Sequence, residues 1–197
     1  VQGVFLRLPA ARIREFLAFL RYFWHSEYGG LLPYAVSRFS PNKLSRAGTE
    51  TAMHVRAAEE SDIPQTMEIE RLSFGQTWEI HNFKSALKET FLVCGRAEIL
   101  GFLIAVGCYR NISATILKLA VHPDHRRKTV ASRLLDRAID IFRSAGIAEI
   151  CLDVDMDRKP AIALYHKFGF KISKTILPDV EDEDGYHIMK LALTPEK

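Results

Sequence analysis

The sequence predicts a mixed α/β sheet with helices on both faces, carried by the region from Met53 onward, with a helical extension before it. Two observations lead there. Short apolar or alternating runs are interleaved with stretches of helical periodicity. Their order is strand, two helices, a strand hairpin, a strand, then helix, strand, helix and two strands, which requires a mixed sheet covered on both sides. A length of 197 residues with 48% hydrophobic content suits one such domain plus an appendage.

From Val1 to Trp24, Ile13, Phe16, Leu17, Leu20, Phe23 and Trp24 recur at three- and four-residue spacing, and Arg12, Arg14 and Arg21 take other positions. This predicts a basic amphipathic helix starting after Pro9 and stopped by Tyr28-Gly29-Gly30 and Pro33. Ser37 to Thr51 is polar and aperiodic, a linker. The domain boundary therefore falls between residues 1–52 and 53–197. His54–Ala58 reads as a short edge strand, and Ser61 or Asp62 as the cap of a helix with Pro64 near its start. A second helix carries Phe83, Ala86 and Leu87. Phe91–Arg96 and Leu100–Tyr109 form a hairpin, and Ala114–Val121 is a strand ended by His122-Pro123-Asp124. Val130–Ser144 is a helix stopped by Gly146. Ile150–Val154 is a strand, Pro160–Phe168 a helix closed by Gly169, and Phe170–Thr175 and Tyr186–Leu193 are the last strands.

Charge and cysteine content narrow the function. Residues 1–52 carry seven Lys/Arg against three Asp/Glu, whereas the remainder is close to neutral, so no basic stripe suited to nucleic acid is present and no nucleic-acid partner is expected. No apolar stretch approaches the roughly 18 residues of a membrane span. Cys94, Cys108 and Cys151 have no metal-like spacing; Cys94 and Cys151 sit in apolar runs, as core residues of a cytoplasmic protein would. His122 and His125 form a His-x-x-His pair without a third ligand nearby, so they read as loop histidines and no metal is expected.

The chemistry concentrates in the stretch from Leu117 to Leu135. An apolar strand runs into Pro123, and a tight basic loop with Arg126, Arg127 and Lys128 feeds directly into a helix. Free N–H groups and the positive end of the helix dipole then converge, which suits a phosphate. The same pattern suits a solvated basic turn. A second block lies downstream: Ala161-Ile162-Ala163-Leu164-Tyr165, then Phe168-Gly169-Phe170.

Together these blocks resemble the GNAT superfamily of N-acetyltransferases. The loop is similar to the family's Gln/Arg-x-x-Gly-x-Gly/Ala signature, with Arg126 first, Thr129 at the first glycine and Ala131 at the last. The second block is similar to Ala-x-x-Leu-Tyr-x-x-x-Gly-Phe, at the family's interval. Within the superfamily the chain looks most like ribosomal-protein-alanine N-acetyltransferases, through Glu70, Ser73-Phe74, Trp78, Phe83, Ala148, Leu152-Asp153-Val154 and Asp184-Gly185-Tyr186-x-Ile188-Met189. The resemblance implies a mostly antiparallel sheet and transfer of acetyl from acetyl-CoA to a primary amine, foremost a protein N-terminus, by direct attack in a ternary complex. It implies that the cofactor's pyrophosphate rests on N–H groups of Arg127, Lys128, Thr129, Val130 and Ala131, and its pantetheine on Leu119, Ala120 and Val121. A backbone N–H near Val121 would polarise the acetyl carbonyl. Tyr165 would be the acid and Asp153 the base, with Asp155 as its substitute.

Three positions depart from the pattern. Thr129 puts a β-branched side chain where glycine lets phosphate approach. Arg158 stands where relatives carry a cofactor-contacting Asn, and Ile176-Leu177 stands where tyrosines line the peptide site. A lysine side chain or small amine as acceptor, and a module that binds acetyl-CoA without catalysis, remain alternatives. The run Glu181-Asp182-Glu183-Asp184 reads as a solvated hairpin tip that could also attract a basic peptide. The apolar stripe of the first helix would dock within the chain or pair with a second copy.

Overall fold

The computed structural model describes residues 53–74, 78–108, 112–178 and 185–193. The helix expected within residues 1–24, the linker at 37–51 and the acidic run at 181–184 lie outside the described residues. The strands are β1 (Val55–Ala57), β2 (Thr90–Gly95), β3 (Ile99–Cys108), β4 (Ser113–Val121), β5 (Glu149–Asp155), β6 (Lys171–Ile176) and β7 (Tyr186–Ala192). The helices are α1 (Ile63–Ser73), α2 (Ile80–Ala86), α3 (Val130–Ser144) and α4 (Lys159–Lys167). The strands form one sheet in the order β1-β2-β3-β4-β5-β7-β6. Every neighbouring pair is antiparallel except β4 and β5. The expected mixed, mostly antiparallel sheet is therefore present with its elements in the expected order.

Side-chain alternation divides the sheet into two faces. On one face Leu92, Leu103, Ile116, Leu119, Val121, Leu152 and Val154 meet Leu134, Leu135, Ala138 and Phe142 of α3 and Ala161 and Tyr165 of α4 in a single core. Residues 130, 134, 135, 138, 139 and 142 of α3 are all buried, the stripe that its 3.6-residue periodicity predicts. On the other face Phe83 of α2, Phe91 and Phe102 form a trio of rings 6.1 to 6.2 Å apart, with Trp78 edge-on to Phe83 at 5.7 Å.

The start of α1 differs in detail from the sequence reading. Asp62 precedes the helix and Pro64 is its second residue, but the Asp62 side chain makes no cap. Its carboxylate instead accepts from Arg56 of β1 at 2.6 and 2.8 Å and from the Glu59 N–H at 2.8 Å. A guanidinium offers a stronger bond than a helix N–H, so the carboxylate ties α1 to the edge strand. The Arg56 bond holds its pKa below the usual carboxylate range.

Candidate active site

The sheet parts at its centre. β4 and β5 pair only through Ser113↔Glu149, Ala114↔Ile150 and Thr115↔Cys151, and the ladder stops there. An irregularity in β4 starts at the same level: Ile104 faces Lys118 and Ala105 faces Ile116, so Leu117 is an extra residue that bends the strand. Beyond it β4 continues to Val121 and β5 to Asp155 without pairing to each other. The opening lies at the carboxyl ends of two parallel strands, where α/β sheets accept ligands. His122 donates its N–H to Leu100 on the β3 side. By alternation the main-chain groups of Leu119 and Val121 face the opening, while those of Ala120 face β3.

A helix N-terminus stands at the mouth of the opening. Arg127 and Thr129 both adopt left-handed backbone angles, with φ of 61° and 63°. Such alternation turns successive N–H groups inward into an anion-binding concavity. Thr129 does not cap α3; its hydroxyl bonds to the Lys128 carbonyl at 2.6 Å. The first-turn N–H groups of Val130 and Ala131 are thus left to a ligand. Gly101 seats this turn against the sheet: a Cβ there would lie 2.7 Å from the Ala120 carbonyl oxygen and 2.9 Å from the Val130 side chain.

The three basic residues of the loop do not behave alike. Lys128 and Arg127 are exposed, whereas Arg126 is half-buried. The turn at Arg127 sends the Arg126 guanidinium back to the Val121 carbonyl at 3.2 Å and to Ser73 Oγ at 3.4 Å. Arg126 thus braces the end of β4. Burial, and then the charge of Arg158, depress its pKa. Arg158 donates to Asp155 Oδ2 at 2.9 Å. Asp155, the alternative base in the sequence reading, is thereby buried in an ion pair with Arg158.

Tyr165 lies in the core on the α3/α4 face of the sheet. It is fully buried, packs on Phe170 at 5.5 Å, and its hydroxyl has no hydrogen-bond partner among the described residues. An unsatisfied buried hydroxyl costs about 1–3 kcal/mol, so one that persists marks a place made for a ligand atom. Burial holds the phenol well above its ordinary value near 10.0, so the proton stays on oxygen. Asp153 alternates with the buried Leu152 and Val154 and emerges, half-buried, on the opposite face. The acid and base candidates thus lie on opposite faces of the sheet. Cys151, expected as a core residue, is only half-buried and bonds to Glu149 at 3.3 Å; burial pushes its thiol up to about 11. Cys94 is fully buried as expected. His125 lies 3.3 Å from Glu98 and His122 3.8 Å from Asp124, and no metal-binding cluster occurs among the described residues.

One pair escaped the sequence reading. Lys118, in the middle of β4, is ion-paired to Glu70 of α1, and their side chains are 6% and 1% exposed. A lysine inside the apolar run Ile116-Leu-Lys-Leu-Ala-Val121 is the signal that could have found it, since such a charge requires a partner.

A sheet parted between parallel strands, with an uncapped helix N-terminus beyond the end of β4 and an unpartnered phenol in the core of one face, is an arrangement suited to an extended, phosphate-bearing ligand. The chain belongs to the acetyltransferase (GNAT) family, whose model matches residues 58–170. Over 146 residues it is 27% identical to the [ribosomal protein bS18]-alanine N-acetyltransferase of Escherichia coli (strain K12), covering 71% of this chain and 97% of the relative. It is 30% identical over 149 residues to an N-alpha-acetyltransferase of Saccharolobus solfataricus, covering 67% and 89%. The crystal structure of the ribosomal-protein-S18-alanine N-acetyltransferase from Escherichia coli superposes with a TM-score of 0.66 at 24% identity, covering 74% of this chain and 97% of that one. That of yncA from Salmonella typhimurium with its cofactor acetyl-CoA gives 0.64 at 20%, covering 74% and 96%. The protein is an acetyl-CoA-dependent N-acetyltransferase. The residues present fit that donor, with an open strand edge, a ring of inward N–H groups and an orphaned hydroxyl.

Proposed function

We propose that this enzyme acetylates the free α-amino group of a protein N-terminus, with alanine as the first residue to test. The observation that carries the reading is the opening between β4 and β5 with Tyr165 on one face and Asp153 on the other. The likeness to ribosomal-protein-alanine and N-alpha-acetyltransferases over most of their lengths supports the choice of acceptor.

Main-chain groups of Leu119 and Val121 would hold the donor's extended arm in the manner of an added strand. N–H groups from Arg127 to Ala131 would hold its diphosphate. Acetyl-CoA supplies a thioester, with an electrophilic carbonyl and a sulfur that leaves. The Val121 N–H would polarise that carbonyl. Asp153 takes the proton from the amine nitrogen through one water, because an aspartate is short for direct contact. Tyr165 gives its hydroxyl proton to the departing sulfur. The N–C bond forms as the C–S bond breaks, and the proton from the amine and the proton to the thiol balance. Arg126 keeps β4 in register for this geometry, and Arg158 holds Asp155 away from it.

The test is a screen of acetyl acceptors: peptides with free Ala or Ser N-termini, the same peptides blocked at the N-terminus but carrying lysine, and small polyamines. Turnover of the free Ala or Ser peptides alone bears the proposal out. Preference for the blocked lysine peptide or a polyamine overturns it. We also place the catalytic unit at 53–197, since the family match falls inside it. A chain beginning at Met53 is expected to melt cooperatively and bind acetyl-CoA, and loss of the cooperative melt would remove that boundary.

A further inference from the structure

On the face of the sheet that bears Asp153, the half built from β5, β7 and β6 is only partly covered. Cys151, Asp153, Ile188 and Lys190 are half-buried there, while Leu152 and Met189 on the opposite face are buried. The ladder register sets what stands beside Asp153. Asp153 faces Ile188 of β7, and Ile188 faces Lys174 of β6. One row along, Cys151 faces Lys190, and Lys190 faces Lys171. Directly paired residues share a face, and Cys151 and Asp153 are two apart on one strand, so all three lysines stand on the Asp153 face. Lys171 and Lys174 are three apart and would fall on opposite faces of a regular strand. The register shift between Ile172 and Lys174 makes Ser173 an extra residue, and this bulge brings Lys174 to the face of Lys171. Lys190 donates to Glu149 Oε1 at 2.8 Å, whereas Lys171 and Lys174 are exposed and have no ion pair among the described residues. From Arg158 to Pro178 the chain holds no Asp or Glu, so no acid on α4 or β6 offsets them.

Lysines on an edge strand also keep it from pairing with another chain. A charge on either face meets that need. It gives no reason for a bulge that gathers two lysines on one face, with Lys171 directly opposite Lys190, where like charges repel. An anion lying over the three relieves that repulsion. Neighbouring strands lie about 5 Å apart, so β6 is about 10 Å from Asp153, the span of about three residues of extended peptide. We propose that Lys171, Lys174 and Lys190 form a docking surface for the acceptor, one that selects protein N-termini with acidic side chains at the second to fourth residues. The amine lies at Asp153, and the chain that follows it crosses β7 towards β6. The inference rests on the acceptor reading above and narrows it to a substrate class.

The experiment gives the full chain three peptides with a common tail, each opening on a free alanine followed by three glutamates, three glutamines or three arginines. At low salt kcat/KM should be about tenfold higher for the glutamate peptide than for the glutamine one, as a few exposed ion pairs allow, and mainly through KM. The gap should narrow as salt screens the charges. Equal rates for the three peptides overturn the proposal, and so does a preference for arginine, which the acidic run at 181–184 would favour. The double variant Lys171→Glu, Lys174→Glu changes two exposed side chains and should melt close to the parent and bind acetyl-CoA with the parent's affinity. Its order of preference must invert, arginine over glutamate. A folded variant that keeps the parent's order shows that the selection arises elsewhere and overturns the proposal. If that variant does not fold, Lys171→Gln with Lys174→Gln must level the glutamate preference to within about twofold, and a preference kept there overturns it equally. Should the parent turn over none of the three yet acetylate the blocked lysine peptide or a polyamine, the acceptor reading has failed and this surface falls with it. Turnover of all three without charge preference sinks this inference alone.

Discussion

The two faces of the sheet at the opening treat buried polar groups in opposite ways. On the α3/α4 face Tyr165 is sealed among Phe170, Ala161 and aliphatic side chains, and its hydroxyl is left alone. On the other face Lys118 and Glu70 are as deeply buried but are ion-paired to each other, with the Trp78 N–H on Glu70 Oε2 and the Phe74 and Trp78 rings beside the ammonium. A folded chain keeps an unsatisfied buried group only where something else requires it. A satisfied pair fixes position without inviting a ligand. The contrast separates an orphaned hydroxyl from a buried couple of opposite charges, and substitution on either face should give stability changes of opposite sign.

The largest effect belongs to the satisfied face. Lys118→Met leaves the Glu70 carboxylate buried without its cation, and removing one partner of a buried pair costs about 3–5 kcal/mol. Denaturant melts should record that loss and its near-complete recovery in the variant that also carries Glu70→Gln. A single variant as stable as the parent would mean that Glu70 is already neutral in the fold, and the contrast between the faces would vanish.

On the unsatisfied face the sign reverses. Tyr165→Phe removes a hydroxyl that has no partner, so without donor the variant should gain about 1 kcal/mol, the penalty of an unmet buried hydroxyl. Its turnover should fall about 10²-fold or more, as when a positioned acid is lost, with acetyl-CoA affinity little changed. Asp153→Asn should cost less, about tenfold to a hundredfold in kcat/KM, since a water carries the proton. If Tyr165→Phe loses stability and keeps its turnover, the residue packs and does no chemistry.

Much of this arrangement was legible in the sequence. The apolar stripe of α3 and the strand–loop–helix around Pro123 are local patterns, and local patterns survive folding. The spacing from Leu164-Tyr165 to Gly169-Phe170 also located the phenol. What the sequence hid is non-local. That β4 and β5 part after Thr115 depends on an extra residue at Leu117, which shows only when β4 is set against β3. The partner of Lys118 lies on a helix far away in the chain. Nothing local says that the Val121 carbonyl lies within reach of Arg126. Capping by Asp62 failed for the same reason, since Arg56 arrives from another strand.

Thr129 gives the smallest effect and the finest test of the mouth of the opening. The residue stands where the family carries glycine, and the backbone has kept glycine's conformation, with φ of 63° and ψ of 0°. For an L-residue the left-handed region costs about 1–2 kcal/mol, and a β-branched side chain fits it worst. The hydroxyl bond to the Lys128 carbonyl is exposed and returns little. Thr129→Gly removes the strain but adds the greater freedom of glycine in the unfolded chain, about 0.5–1 kcal/mol. The net gain should therefore be modest, about 0.5–1 kcal/mol in the melt without donor. Affinity for acetyl-CoA should tighten a few-fold, because removal of the side chain lets phosphate approach the N–H groups of α3. The two readings are independent: the melt reports backbone strain, and calorimetry reports crowding at the anion site. A higher melt with unchanged affinity would leave the turn strained but place the diphosphate clear of the Thr129 side chain. Unchanged affinity together with an unchanged melt would show that threonine serves this turn as well as glycine does.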